Sequence, residues 1–225
     1  MHQNSLHQRS PIVSLHHSSS CVKIPKVKIP TSQFCVTNIP CVSKPLAGYS
    51  QMCYKLTISG WQEFAIMKKE RGYTAGVMHK NRFHVFGGRD NSIHQTSEFI
   101  SIDGGVEYGP QLPTSVWQHA ITSINSTVSL LSGGCLNSYP SYTCYSPLTW
   151  YINHETNVFS SGPSLLEGRR SHGSATIVDK VTKEKIPMVT GGSNGFRSDS
   201  TELLINGMWQ PGTNQLKKQY FDLFQ

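Results

Sequence analysis

The chain has 225 residues, with 20 basic against 13 acidic side chains and a formal charge of +7. Five basic residues (Arg9, Lys23, Lys26, Lys28, Lys44) and no acidic one fall within residues 1–50, so residues 51–225 carry 15 basic and 13 acidic groups. A body this close to neutral argues against a nucleic-acid reader, which needs clustered cations on one face. No apolar run approaches the roughly 18 residues of a membrane-spanning helix.

Residues 1–50 hold His2, His7, His16 and His17, a Ser18-Ser19-Ser20 run and the proline-punctuated stretch Lys23–Pro30. Without a periodic apolar pattern they read as a basic, disordered leader. Polar first residues lack the apolar stretch of a secretory signal. If Met1 is the true start the expectation is a cytoplasmic protein, and if the N-terminus is incomplete it is an extracellular one.

From residue 51 onward an apolar run meets a glycine pair three times: Phe83–Phe86 before Gly87-Gly88, Val128–Ser132 before Gly133-Gly134, and Ile186–Thr190 before Gly191-Gly192. The first glycines stand 46 and then 58 residues apart, the spacing of a repeat. Each run suits a buried strand, and the glycines permit backbone conformations closed to other residues. The tenth residue past each pair is Glu98, Cys144 or Glu202, and the spacing predicts that a second strand begins there. Strands preceding the runs are expected over 72–78, 119–124 and 171–178, and outer strands after the turns Asp103-Gly104-Gly105 and Asn206-Gly207. Each unit is thus a four-stranded antiparallel meander. Cys53-Tyr54 followed by Trp61 reads as the back half of an earlier unit.

These residues resemble the kelch repeat family. The likeness lies in the apolar run with diglycine, the Glu ten residues later, Trp209 after Glu202, and the opening Arg169-Arg170-Ser171-His172. The resemblance implies an all-β fold of kelch-like β-propeller blades over 51–218: a partial blade at 51–69 and blades at 70–115, 116–168 and 169–218. Such propellers close with about 4–8 blades, so three and a half units imply an incomplete or open ring. The resemblance also implies that Glu98 and Glu202 satisfy buried donors of the backbone or of a neighbouring blade.

Six cysteines are present. Cys135 and Cys144 flank one loop and bridge it in an oxidising compartment, or stay as buried thiols in a reducing one. The other four contain no CxxC pair, so no metal site is expected. Asn125-Ser126-Thr127 is a glycosylation sequon at a predicted turn. His119 and His172 share a repeat position, taken to match Tyr73, which makes them structural rather than catalytic. No phosphate-binding glycine motif and no GxSxG occurs.

The functional expectation is a non-enzymatic protein–protein interaction module without a cofactor, binding its partner through loops. The candidate side chains are Arg89, Asp90, Tyr139, Tyr142, Phe196 and Arg197, because Arg and aromatic residues dominate interface hot spots. The alternative is a secreted module contacting glycan or matrix. The remotest reading, a copper oxidase-like propeller enzyme, needs two tyrosines and two histidines converging on an axis, and no motif here places them.

Overall fold

The computed structural model describes residues 49–57, 59–138 and 141–212. The leader therefore lies outside the described residues up to Pro45-Leu46-Ala47-Gly48, and so does Tyr139. Among the described residues the chain is all-β, with no helix and with every strand pairing antiparallel.

Three four-stranded sheets follow one another. Sheet I runs in the order β3 (Ala75–His79), β4 (Arg82–Phe86), β5 (Ser97–Ser101), β6 (Val106–Tyr108). Sheet II runs β8 (Ala120–Ser123), β9 (Val128–Ser132), β12 (Thr149–Asn153), β13 (Val158–Ser161). Sheet III runs β14 (Gly173–Val178), β15 (Lys185–Thr190), β16 (Thr201–Ile205), β17 (Met208–Pro211). Ahead of them β1 (Ser50–Thr57) and β2 (Gly60–Arg71) form a hairpin whose second strand lies against β5 and β6. A short sheet joins β7 (Val116–Trp117) to β10 (Cys135–Ser138) and β11 (Ser141–Cys144).

Turn chemistry explains the hairpins. Asn206 and Gly207 both take positive φ, 51° and 76°, the geometry that lets a two-residue turn follow the twist of β16 and β17. The first strands β3, β8 and β14 lie side by side, so the sheets pack in chain order. Each junction encloses its own apolar cluster. Met67 packs with Phe83 and Ile100, Phe86 with Val116 and Trp150, and Leu130 with Val189 and Trp209. Burying such a side chain contributes roughly 1.5–3 kcal/mol.

The first two glycine pairs weld their sheets to the next. All six glycines have positive φ, between 54° and 95°. The Gly88 N–H donates to the Val116 carbonyl (2.8 Å) and the Gly134 N–H to the Arg169 carbonyl (2.8 Å), both in the following sheet's entry segment. A second rung joins three residues with φ of 54°, 56° and 52°: Gln118 N–H donates to Tyr73 C=O (2.9 Å), and Ser171 N–H to Gln118 C=O (2.8 Å).

Two expectations from the spacing are corrected by this register. Glu98 pairs with Val85 and Glu202 with Val189, but Leu131, the matching residue of sheet II, pairs with Trp150. Cys144 is therefore not the counterpart of the glutamates. It closes the β10–β11 hairpin, and six extra residues push the strand start to β12. The rung through Tyr73, Gln118 and Ser171 likewise puts His119 and His172 in line with Thr74, one residue beyond Tyr73.

Glu98 and Glu202 are buried at equivalent seams. Glu98 accepts the N–H groups of Lys68 (2.7 Å) and Lys69 (3.1 Å) and the Arg71 guanidinium (2.8 Å). Glu202 accepts those of Leu166 (2.7 Å) and Glu167 (3.1 Å) and the Arg169 guanidinium (2.6 Å). In sheet II the same three positions are Trp150, Val116 and Pro113. The carboxylate and guanidinium are replaced by an apolar pair, and the first amide donor by a proline that has no N–H. Each replacement removes the need for the others.

Candidate functional site: the loop edge

The segments that follow the glycine pairs leave corresponding ends of β4, β9 and β15, so they share one edge of the array. In the first, Arg89 exchanges both backbone hydrogen bonds with Gly72 (2.7 and 2.9 Å). Asp90 caps the turn by accepting the Ser92 N–H (2.7 Å) and hydroxyl (3.0 Å). The Ser92 amide holds the Asp90 carboxyl below the ordinary carboxylate range. His94 donates to the Glu70 carbonyl (2.9 Å) and Gln95 to the Leu112 carbonyl (2.7 Å), pinning the loop to the preceding segment.

Across the seam, the Arg89 guanidinium lies over the Trp117 ring at 4.7 Å, and Tyr73 meets that indole edge-on at 5.3 Å. The arrangement recurs one seam later in mirror roles. Arg170, which precedes Ser171 of the second rung as Trp117 precedes Gln118, lies over the Tyr145 ring at 5.0 Å. Such pairs contribute about 0.5–2 kcal/mol and hold the guanidinium plane in place. Cys135 and Cys144 face one another in register with their sulfurs bonded at 2.15 Å, and Arg170 Nη1 stands 3.5 Å from the Cys144 sulfur.

The third loop repeats the Arg89 pattern, Ser193 exchanging both backbone bonds with Arg170 (2.9 Å each). Asn194 accepts the Phe196 N–H (3.1 Å) through its side chain and donates its amide to Glu167. Glu167 also accepts the hydroxyls of Ser200 (2.8 Å) and Ser198 (3.2 Å), which lower its pKa. Phe196 is left 83 % exposed at the tip, with Arg197 exposed beside it.

Of the sequence-derived candidates, Arg89 and Asp90 sit together on the first loop and Phe196 and Arg197 on the third. Tyr142 lies within β11, and Tyr139 is outside the described residues. Reading by loop alone missed Trp117, Tyr145 and Arg170. The signal for two of them was visible as the residue two places before each buried histidine.

His119 and His172 are buried at the seams. His172 Nε2 shares a hydrogen bond with the Ser132 hydroxyl (2.9 Å), the residue before the glycine pair of sheet II. The matching residue for His119 is Phe86, which offers no hydroxyl, and both His119 ring nitrogens have no partner among the described residues. Burial pushes both imidazoles down to about 3.

Among the described residues no group of three or more His, Cys, Asp or Glu side chains is disposed to hold a metal ion, and no helix is long and apolar enough to cross a membrane. Asn125 is exposed in the β8–β9 turn, its side-chain oxygen accepting the Thr127 N–H (2.9 Å) and the Val128 N–H (2.8 Å). A scan against models of known protein families finds no match for this chain, and a search of curated proteins finds none either.

Proposed function

We propose that the chain is an open array of kelch-like propeller blades acting as a non-enzymatic interaction module, which binds a protein partner through the loop edge. The observation that carries this reading is the guanidinium-on-aromatic pair at both seams, Arg89 on Trp117 and Arg170 on Tyr145, beside the exposed Phe196. Preorganised Arg and aromatic side chains are what interface hot spots use. Support for the blade reading comes from three meander sheets packed in sequence and from the latch that recurs at the first two glycine pairs.

The test is affinity capture with the full chain, followed by Arg89→Ala, Arg170→Ala and Phe196→Ala. At least one should weaken the captured partner by tenfold or more while the melting temperature stays within about 3 °C. Unchanged binding in all three rejects the loop edge as the site.

A second reading, a secreted module contacting glycan or matrix, is favoured by the Cys135–Cys144 bond and the exposed Asn125 sequon. Thiol counting on protein purified from its own source, without reductant, separates the two. Four or fewer free thiols support the oxidising compartment, and six exclude it.

A further inference from the structure

At the opposite edge from the loops, a buried hydrogen-bond chain crosses from sheet I to sheet II. His84 in β4 meets His154, just past β12, with their Nδ1 atoms 3.3 Å apart. The far nitrogen of each ring meets a serine: His84 Nε2 the Ser97 hydroxyl (2.9 Å) and His154 Nε2 the Ser129 hydroxyl (2.8 Å). The tautomers follow from donor logic. Ser97 donates to the Pro110 carbonyl (2.6 Å), which can only accept, so Ser97 must accept from His84 Nε2–H. That leaves His84 Nδ1 as a lone pair and makes His154 Nδ1 its donor, so Ser129 must give its one hydroxyl proton to His154 Nε2 (2.8 Å) in preference to its longer contact with Ser123 Oγ (3.5 Å).

We propose that His84 and His154 form an acid-released clasp, and that acid parts sheet I from sheet II before it parts sheet II from sheet III. The clasp has room for one added proton. It goes to His154 Nε2, with Ser129 turning its hydroxyl toward Ser123 Oγ 3.5 Å away. A second has no acceptor, because protonating His84 Nδ1 sets two N–H groups head to head.

Among the described residues no carboxylate pairs with either imidazole. Around His84 stand Arg82, Arg71 and His79, with the Phe86 and Phe99 rings 3.8 and 3.9 Å from the imidazole. His79 stacks on His154 at 4.8 Å. The nearby carboxylates face other cations: Glu155 faces Lys80 (3.7 Å), and Glu107 faces Arg82 (2.7 Å). A cleft of about 380 Å³ lined by His79, Lys80, His154 and Glu155 gives protons and water access to the clasp. Burial, with His154 and the guanidinium groups of Arg82 and Arg71 nearby, holds His84 well below the ordinary histidine range, and burial beside the His79 ring holds His154 at about 4. The same seam also buries His119, which faces Arg71. Among the described residues the buried histidine of the II–III seam is His172, facing Arg169 and His119.

Each seam has two reporter amides. Gly88 N–H and Gln118 N–H cross from sheet I to sheet II, while Gly134 N–H and Ser171 N–H cross from sheet II to sheet III. Residue-resolved amide exchange on the full chain, corrected for intrinsic rates, is measured between pH 7.5 and 5. Protection at Gly88 and Gln118 should fall at least tenfold more than at Gly134 and Ser171, and His154→Gln should narrow that gap. Imidazole ¹⁵N shifts of the wild type at pH 7 should show a protonated Nε2 on His84 and a protonated Nδ1 on His154. Equal loss at both seams, earlier loss at the II–III seam, or Nε2-protonated tautomers on both rings would overturn the clasp.

Discussion

Arg71 and Glu98 meet at 2.8 Å with neither side chain exposed, and the guanidinium reaches past the carboxylate to the carbonyls of Gly87 (2.5 Å) and Thr96 (3.0 Å). One buried pair thus ties the linker entering sheet I to the glycine turn and to the strand after it. Arg169 and Glu202 repeat the relationship at 2.6 Å, with Gly191 and Ser200 in the corresponding places.

Breaking such a pair on one side strands a buried charge. Arg71→Met and Glu98→Leu should each destabilise the fold by about 3–5 kcal/mol in urea unfolding. The double variant should cost less than the two singles together by at least about 1 kcal/mol, as Val116 and Trp150 in sheet II already suggest. Additive losses would mean that the pair is not coupled.

His119 and His172 should respond differently to the same substitution. His119→Phe removes two unpartnered nitrogens and should stabilise by about 1–2 kcal/mol. His172→Phe removes one unpartnered nitrogen, Nδ1, but leaves the Ser132 hydroxyl without its partner, and should be neutral or destabilising. The comparison is read from the two urea midpoints, and stabilisation by His172→Phe alone would contradict it.

The glycine pairs make a steric prediction. A Cβ at Gly134 would stand 2.7 Å from the Trp117 carbonyl oxygen, at a φ of 95°. Gly134→Ala should therefore cost about 2 kcal/mol or more, whereas Gly207→Ala, with nothing within 4 Å, should cost only about 1 kcal/mol. Equal melting temperatures for the two variants would rule out the close approach.

Stability should fall with acid. His119, His154 and His172 are neutral in the fold, with pKa values of about 3, about 4 and about 3. The unfolded chain takes up their protons below about pH 6.5. A depressed histidine pKa contributes stability that is complete above 6.5 and is lost as pH falls toward the folded value. At pH 5 each group costs about 2 kcal/mol, so the three approach the total stability of a small domain. Urea unfolding at pH 7.5 and 5.0 checks this; a midpoint unchanged between them would contradict it.

The strands and glycine turns were legible because their residue types are dictated locally: apolar runs need burial, and positive φ with a close backbone neighbour, as at Gly88 and Gly134, needs glycine. The register of sheet II was not. Its inserted β10–β11 hairpin placed Cys144 at the tenth position by coincidence, and only pairing of Leu131 with Trp150 reveals the true correspondence. Pro113 was the available clue, since it cannot supply the amide that a buried glutamate at this seam accepts. The loop residues Arg89, Asp90, Phe196 and Arg197 were read from loop position and residue type. Their neighbours Trp117 and Tyr145 became visible only across seams. The His84–His154 contact joins residues 70 apart, outside the reach of any repeat period.

The most direct measurement of the central claim is a hydrogen-exchange footprint of the captured partner on the full chain. The account predicts new protection in 88–96, 141–147 and 191–199, at the loop edge, with the turns at 80–81, 125–127 and 179–184 unchanged. Protection confined to those opposite turns would contradict the claim that the loop edge is the binding surface.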